Sequence, residues 1–200
     1  MFDVLVVGGG AAGMSCALVL GSAKSKLFAK DKRIGIVMHQ RASHLQTALF
    51  NNVLGLAPGT TGASVLEDGK MQLAQLYPHV EQIENEKVIS IIKTSEGFLI
   101  TTNKNTYESK LVVVAVGYTN LVSIEGLDAY LEPHPRAAIE KERIWLKNHN
   151  HIVDKNLYVA GTMAGWRSQF AIASGSGAQV ATDILTLWND GKHTKIHDKI

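Results

Sequence analysis

The chain has 200 residues, 46% of them hydrophobic, and its 20 basic and 18 acidic side chains give a formal charge of +2. That is enough apolar content for one good core, too little length for two full dinucleotide-binding domains, and too even a charge to leave a nucleic-acid or membrane-surface footprint. A single cysteine, Cys16, excludes an internal disulfide, a CxxC redox pair and a cysteine zinc cluster, and suits a reducing, cytoplasmic setting.

Residues 1–20 are apolar but lack a basic start, carry Asp3 and are broken by three glycines, unlike a secretion signal. No run reaches the ~18 uninterrupted apolar residues of a membrane span. Residues 3–7 predict a buried strand that runs through Gly8-Gly9-Gly10 into a small-residue helix over 11–21. Strand, glycine turn and helix in this order cradle a dinucleotide pyrophosphate. Gly8 permits the tight turn, Gly10 lets the backbone approach the phosphates and Gly13 lets the helix pack on the strand. The free N–H groups of the helix start, around Ala11 and Ala12, face the anion. The alternative is a glycine-rich turn in an α/β domain with no ligand.

Residues 34–38 predict a second buried parallel strand, completing a βαβ unit. The stretch 44–62 holds Asn51-Asn52, Pro58-Gly59 and Gly62 and predicts a surface crossing near the ligand. Leu66, Leu73 and Leu76 have helical spacing over 63–76, and 79–84 reads as a strand. Residues 87–93, 98–102 and 106–110 predict a small antiparallel meander, and 111–117 a fully buried strand ending in glycine. Residues 118–156, with Pro133 and Pro135, are less regular and predict a helix over 137–148. A strand over 156–161, a helix over 177–188 and a polar, frayed tail from 189 complete the reading. The expected fold class is α/β, a Rossmann-like parallel sheet with helices and a small antiparallel β-meander, forming one domain over 1–188 with 118–156 as a short connection.

Three separated motifs now line up: the opening glycine turn, Ala115-Val116-Gly117, and Leu157-Tyr158-Val159-Ala160-Gly161 followed by Gln169 and Gly175-Ser176-Gly177-Ala178. Together they resemble the FAD-binding domain of thioredoxin reductase-like flavoproteins, over nearly the whole chain. In that family the middle strand ends Ala-Thr-Gly, the last strand ends Gly-Asp, and an asparagine–glycine loop, echoed by Asn52 and Gly55, lies beside the flavin. The resemblance implies FAD as cofactor. It places Gly8, Gly10, Ala11, Ala12, Gly13, Ala115 and Gly117 on its groove, His39, Gln40 and Val80 toward its adenosine end, and Asn52, Gly161, Thr162, Gln169, Phe170 and Ala171 toward the flavin.

Four departures limit what the resemblance carries. The family inserts an NADPH domain after the middle strand, but too few residues separate Gly117 from Gly161 for a second nucleotide domain. The redox cysteine pair of that domain is absent, so a dithiol relay within one chain is excluded. The ribityl-binding carboxylate is replaced by Thr162, a weaker neutral partner. The ribose-binding acid that commonly closes the second strand is also missing from Met38-His39-Gln40-Arg41, where Gln40 could accept a ribose hydrogen bond and Arg41 could favour an extra phosphate, which keeps a nicotinamide dinucleotide as a rival ligand.

Cys16 reads as a buried structural thiol, and His149 and His151 as surface residues without metal-ligand spacing. Trp166 and Arg167 either cover the flavin or pack the core. No side-chain acid, base or metal site stands out. The expectation is a small FAD-dependent oxidoreductase with an external electron donor and a small-molecule substrate or redox-protein partner, a homodimer being open and nucleic acid and membrane not expected. The alternative is a non-catalytic flavin- or nucleotide-binding module, or one subunit of a larger redox complex.

Overall fold

Strand β1 (Phe2–Val7) carries a separate core on each of its faces. Val4 and Val6 enter one apolar cluster while Leu5 and Val7 enter another, as the two-residue repeat of a strand requires; Phe2, at the start of the strand, departs from the repeat and joins the cluster of Leu5 and Val7. The structure is a computed structural model describing residues 1–40, 43–119 and 122–197.

From β1 the chain turns into α1 (Ala11–Ser22) and returns as β2 (Ile34–Met38). A ribbon of β3 (Leu49–Phe50) and β4 (Thr60–Thr61) leads to α2 (Gly62–Leu76) and β5 (Val80–Glu84). A meander of β6 (Val88–Lys93), β7 (Phe98–Thr102) and β8 (Thr106–Val114) follows, then a second ribbon, β9 (Leu131–Pro133) with β10 (Ile144–Leu146). The hairpin β11 (Ile152–Asp154) and β12 (Leu157–Val159) and the helix α3 (Phe170–Trp188) end the fold.

The main sheet runs β11-β12-β8-β1-β2-β5. All its neighbours pair in parallel except β11, which is antiparallel to β12. Helices α1, α2 and α3 cover one face. The meander and the connection cover the other, through Ile91, Ile100, Ile124, Leu127 and Leu146.

The strands predicted at 106–110 and 111–117 are one element. Its first half pairs antiparallel with β7 (Phe98↔Ser109, Thr101↔Thr106) and its second runs parallel to β1 (Val4↔Leu111 to Val7↔Val114). The change from alternating to wholly apolar sequence at Leu111 marks where β8 becomes covered on both faces.

Four expectations are corrected. Residues 137–148 form no α-helix: a 3-10 turn over Ile139–Lys141 is followed by β10, which pairs with β9 (Ile144↔Pro133, Leu146↔Leu131). Its Ile-Trp-Leu sequence suits a half-buried strand better than a helix. Helix α3 starts at Phe170, seven residues before the predicted start, because its Gly-Ser-Gly sequence lies inside the helix, with Gly177 against α1, and not at its end. The tail after α3 packs back, with Thr194 only 4% exposed and Ile196 against the helical-face core. His151 is buried, its ring Nδ1 2.9 Å from the Val159 carbonyl, while His149 is exposed. Among the described residues no helix is long and apolar enough to cross a membrane.

Candidate functional site

Five parallel strands end at one edge, and there the glycine turn meets the starts of two helices. Gly8 has φ +117°, a backbone conformation that L side chains rarely adopt, and a Cβ on it would fall on the Ala115 carbonyl. Its N–H donates to the Val37 carbonyl at 2.9 Å, and the Ala115 N–H donates to the Val7 carbonyl at 2.8 Å. Three strand ends are thereby held together. Gly13 of α1 packs on the Gly8 carbonyl, and Gly161 and Gly177 both pack on Ala12. The first and last motifs of the sequence thus meet across α1.

Gly10 is the N-cap of α1 and provides no side-chain cap; the Met14 N–H closes the first helical bond to its carbonyl at 2.9 Å. The preceding N–H groups of the first turn have no partner within the helix. A Cβ on Gly10 would meet only Ser43 Oγ, at 3.8 Å, so the space beside it is open. Gln169, the N-cap of α3, likewise gives no side-chain cap. The glycine turn, the two helix starts and the segments beside them, residues 4–23, 34–66, 111–124 and 157–182, contain no aspartate or glutamate; at the outer end of the same edge β5 closes on Glu84, which pairs with Lys70 at 3.0 Å, and Glu86 after it accepts from Thr102, Asn105 and Tyr107. Two positive helix ends therefore meet where the flanking segments carry no carboxylate and the edge's two glutamates already have partners, a setting suited to an anion.

At the tip of β2, Gln40 Nε2 donates to the Gly9 carbonyl at 2.9 Å. That bond fixes the glycine turn and leaves Oε1 as the side chain's free acceptor. His39 beside it is exposed. Arg41 lies outside the described residues. Two groove residues escaped the sequence reading: Ser43, beside Gly10, and His44, whose ring Cδ2 would lie 3.6 Å from a Cβ on Gly117. Only the path of the chain after β2 brings them there.

Asn52 is exposed on the 51–58 loop, whose base is tied to α3 because the Phe50 and Phe170 rings lie 4.9 Å apart. Ala171 is exposed in the first turn of α3. Val80 is not part of this group. It starts β5, opposite Ile34 and against the far end of α1 at Gly21, roughly 13 Å from the groove edge at ~3.3 Å per residue. The prediction for Val80 is corrected on that ground, since the two ends of a strand lie at opposite edges of the sheet.

Thr162 sits in a 3-10 turn (Gly161–Ala164) that the connection grips from below. His134 Nε2 lies 3.1 Å from the Thr162 carbonyl, the Arg136 N–H donates to His134 Nδ1 at 3.1 Å, the Asn148 amide donates to the Ala164 carbonyl at 3.2 Å, and the Arg136 guanidinium donates to the Gly165 carbonyl. Burial lowers the pKa of His134, and this bonding pattern assigns the neutral tautomer protonated at Nε2. Trp166, 41% exposed, is flanked by the Arg136 guanidinium at 5.1 Å and the His151 ring at 6.0 Å. It touches both side chains yet stays exposed. Arg167 is exposed. Cys16 is fully buried in the helical-face core, where desolvation pushes its thiol pKa far up, against thiolate chemistry.

The family model described as pyridine nucleotide-disulphide oxidoreductase matches residues 2–162. Ferredoxin–NADP reductase 1 of Bacillus licheniformis is 31% identical over 169 residues, covering 80% of this chain and 44% of that protein. Across such curated relatives the chain spans about half of their length. A thioredoxin reductase structure from Gloeobacter violaceus superposes with a TM-score of 0.73 at 13% identity, covering 100% of this chain and 98% of that one. A ferredoxin-flavin thioredoxin reductase from Clostridium acetobutylicum gives 0.67 at 18% identity, covering 94% and 98%. These two structures are alike in fold: a Rossmann-like parallel sheet with helices on one face and antiparallel strands on the other.

Proposed function

Because the chain belongs to the pyridine nucleotide-disulphide oxidoreductase family, whose cofactor is FAD, we propose that it is an FAD-dependent oxidoreductase whose electrons arrive from a donor outside residues 1–200. The observation that carries this reading is the open space at Gly10, directly before a helix start without a side-chain cap, among segments that carry no carboxylate of their own. FAD, when bound, supplies the redox chemistry, and the chain supplies position and charge.

Gly10 and the first turn of α1 would hold the pyrophosphate, and Gln40 Oε1 with His39 would face the adenosine ribose. Thr162 would face the ribityl chain. The N-terminus of α3, at Gln169, Phe170 and Ala171, would face the pole that becomes negative on reduction, favouring the reduced form. Ser43 and His44 would close the groove from the loop after β2.

An external donor is supported by the described residues 118–119 and 122–156, which form a ribbon, 3-10 turns and a β-hairpin strand and no nucleotide domain. Relatives named for ferredoxin and thioredoxin make a redox protein the favoured partner. Anaerobic mixing of the FAD-loaded protein with NADPH, or with a reduced iron–sulfur protein, tests this directly. Bleaching of the flavin by the protein donor and slow or absent bleaching by NADPH is expected; a flavin that neither donor reduces supports the second reading, a flavin-binding subunit without turnover. That reading draws on Thr162, at the position where the family carries a charged partner, and on the short connection between β8 and β12. NADPH-driven reduction of thioredoxin by the isolated chain is expected to be undetectable, since its one cysteine is buried; turnover in that assay would overturn the proposed electron path.

A carboxylate accepts a hydrogen bond worth about 1.5–3 kcal/mol, against about 0.5–1.5 for a neutral group. Thr162→Asp is therefore expected to tighten FAD binding by ~1 kcal/mol, several-fold in Kd, by titration calorimetry. Unchanged or weaker affinity would remove Thr162 from the ribityl position.

A further inference from the structure

The edge opposite the groove carries a charge pattern that the overall balance hides. Helices α1, α2 and α3 all start at the groove side, so their C-termini emerge together at the far edge, near the starts of β1, β2 and β5. The segments that leave α1 and α3 there, residues 24–33 and 189–197, hold seven of the 20 basic residues and two of the 18 acidic ones; the rest of the chain is net acidic. The two segments adjoin, with Lys32 Nζ 5.5 Å from the Trp188 ring and Phe28 and Ile196 packed on the same core.

Local duties account for only part of this charge. Arg33 pairs with Glu81 at 2.8 Å, Lys32 with Asp3 at 3.8 Å and Lys30 with Asp31 at 3.9 Å. Lys24, Lys26, Lys192 and Lys195 have no carboxylate within ion-pair distance among the described residues. None of the three α-helices has a basic residue in its last turn; Lys24 lies in the 3-10 turn Ala23–Ser25 that continues α1, and Lys26, Lys192 and Lys195 lie beyond the helix ends. Exposed leucines stand among them: Leu27 at 83%, Leu76 at 60% and Leu187 at 50% exposure, each at or just past the end of a helix.

We propose that this edge docks on an anionic membrane surface, with the unpaired lysines at the headgroup phosphates and Leu27 inserted among the lipid chains. Lysines near a charged bilayer are attracted by its surface potential, and an apolar side chain in their midst gains from the interface. A nucleic acid would match the charge but has no use for the exposed leucine, and the nearby aromatic Trp188 and Phe28 are packed on the core and not free for stacking. Docking in this way leaves the groove at the opposite edge facing solution.

The test is co-sedimentation of the full chain with vesicles of phosphatidylcholine, with and without phosphatidylserine, in parallel with binding to duplex DNA. Binding is expected only with phosphatidylserine and is expected to vanish as salt rises from about 0.1 to 1 M, where the screening length falls from about 10 to about 3 Å. The triple variant Lys24→Glu/Lys26→Glu/Lys192→Glu should lose at least tenfold in vesicle affinity and Leu27→Ser several-fold, with circular dichroism confirming the fold. Lys141→Glu, on the connection, should bind as the unaltered chain does. Binding equal on both vesicles, no binding at all, or a Lys141→Glu loss as large as the triple variant's would overturn the proposal. So would tight DNA binding with vesicle binding indifferent to Leu27→Ser.

Discussion

Gly10→Val is expected to leave the fold intact and to abolish FAD binding. The new side chain points into open space whose nearest occupant is Ser43 Oγ, 3.8 Å from the added Cβ, so the protein loses no packing. The residue is an N-cap in extended conformation (φ −82°, ψ −169°), a region that valine also adopts. The ligand bears the whole consequence, because the pyrophosphate has to reach the N–H groups of α1 across the surface that the valine methyls now cover. Loss of several charge-assisted hydrogen bonds at ~1.5–3 kcal/mol each removes at least two orders of magnitude in affinity. The readout is paired: thermal melting of the apo-protein within a few degrees of the parent, and no yellow complex at FAD concentrations that saturate the parent. A Gly10→Val protein that still binds FAD tightly would place the cofactor elsewhere. One that unfolds would show that the turn depends on this glycine for its own conformation.

The buried parallel strands and α2 were legible because each is a contiguous run whose pattern matches the burial found, and the glycine turn with α1 because three glycines between an apolar strand and a run of small residues mark that turn. The connection was not. Residues 137–148 hold alanine, glutamate and lysine, which favour helix, but β9 offers a strand partner and Gly165 offers a seat for Trp145, whose ring carbon Cε3 lies 2.6 Å from where a Cβ would be. Tertiary pairing outweighed propensity there. The site divides in the same way. The glycines, Gln40 and Gln169 were readable from their positions at the ends of elements, whereas Ser43 and His44 depend on how the loop after β2 folds back. Val80 failed for a geometric reason, since a β-prone run does not say which of its ends faces the groove. The neighbours of Trp166, Arg136 and His151, lie 30 and 15 residues away in sequence and meet it only in the fold.

Two glycines of α3, a single residue apart, are expected to respond to alanine in opposite directions. A Cβ on Gly177 would lie on the Ala12 carbonyl, its carbon and its Cα, all backbone of α1, so no rotamer change can relieve the overlap. The two helices would have to separate, and α1 is held against the sheet by Gly13 on the Gly8 carbonyl, so the strain would spread into the glycine turn. Overpacking at a site that cannot relax costs about 3 kcal/mol, near the top of the usual range, which for a chain of this size lowers Tm by roughly 10 °C. A Cβ on Gly175 meets nothing within 4 Å, and its backbone is already helical. Alanine there gains helix propensity and restricts the unfolded chain, stabilising by about 0.5–1 kcal/mol and raising Tm by roughly 2–4 °C. Differential scanning calorimetry of the two variants side by side reads both signs in one experiment. Equal shifts would mean that α1 and α3 slide freely past each other, and that Gly177 is not the contact that joins the first and last motifs of the chain into one groove.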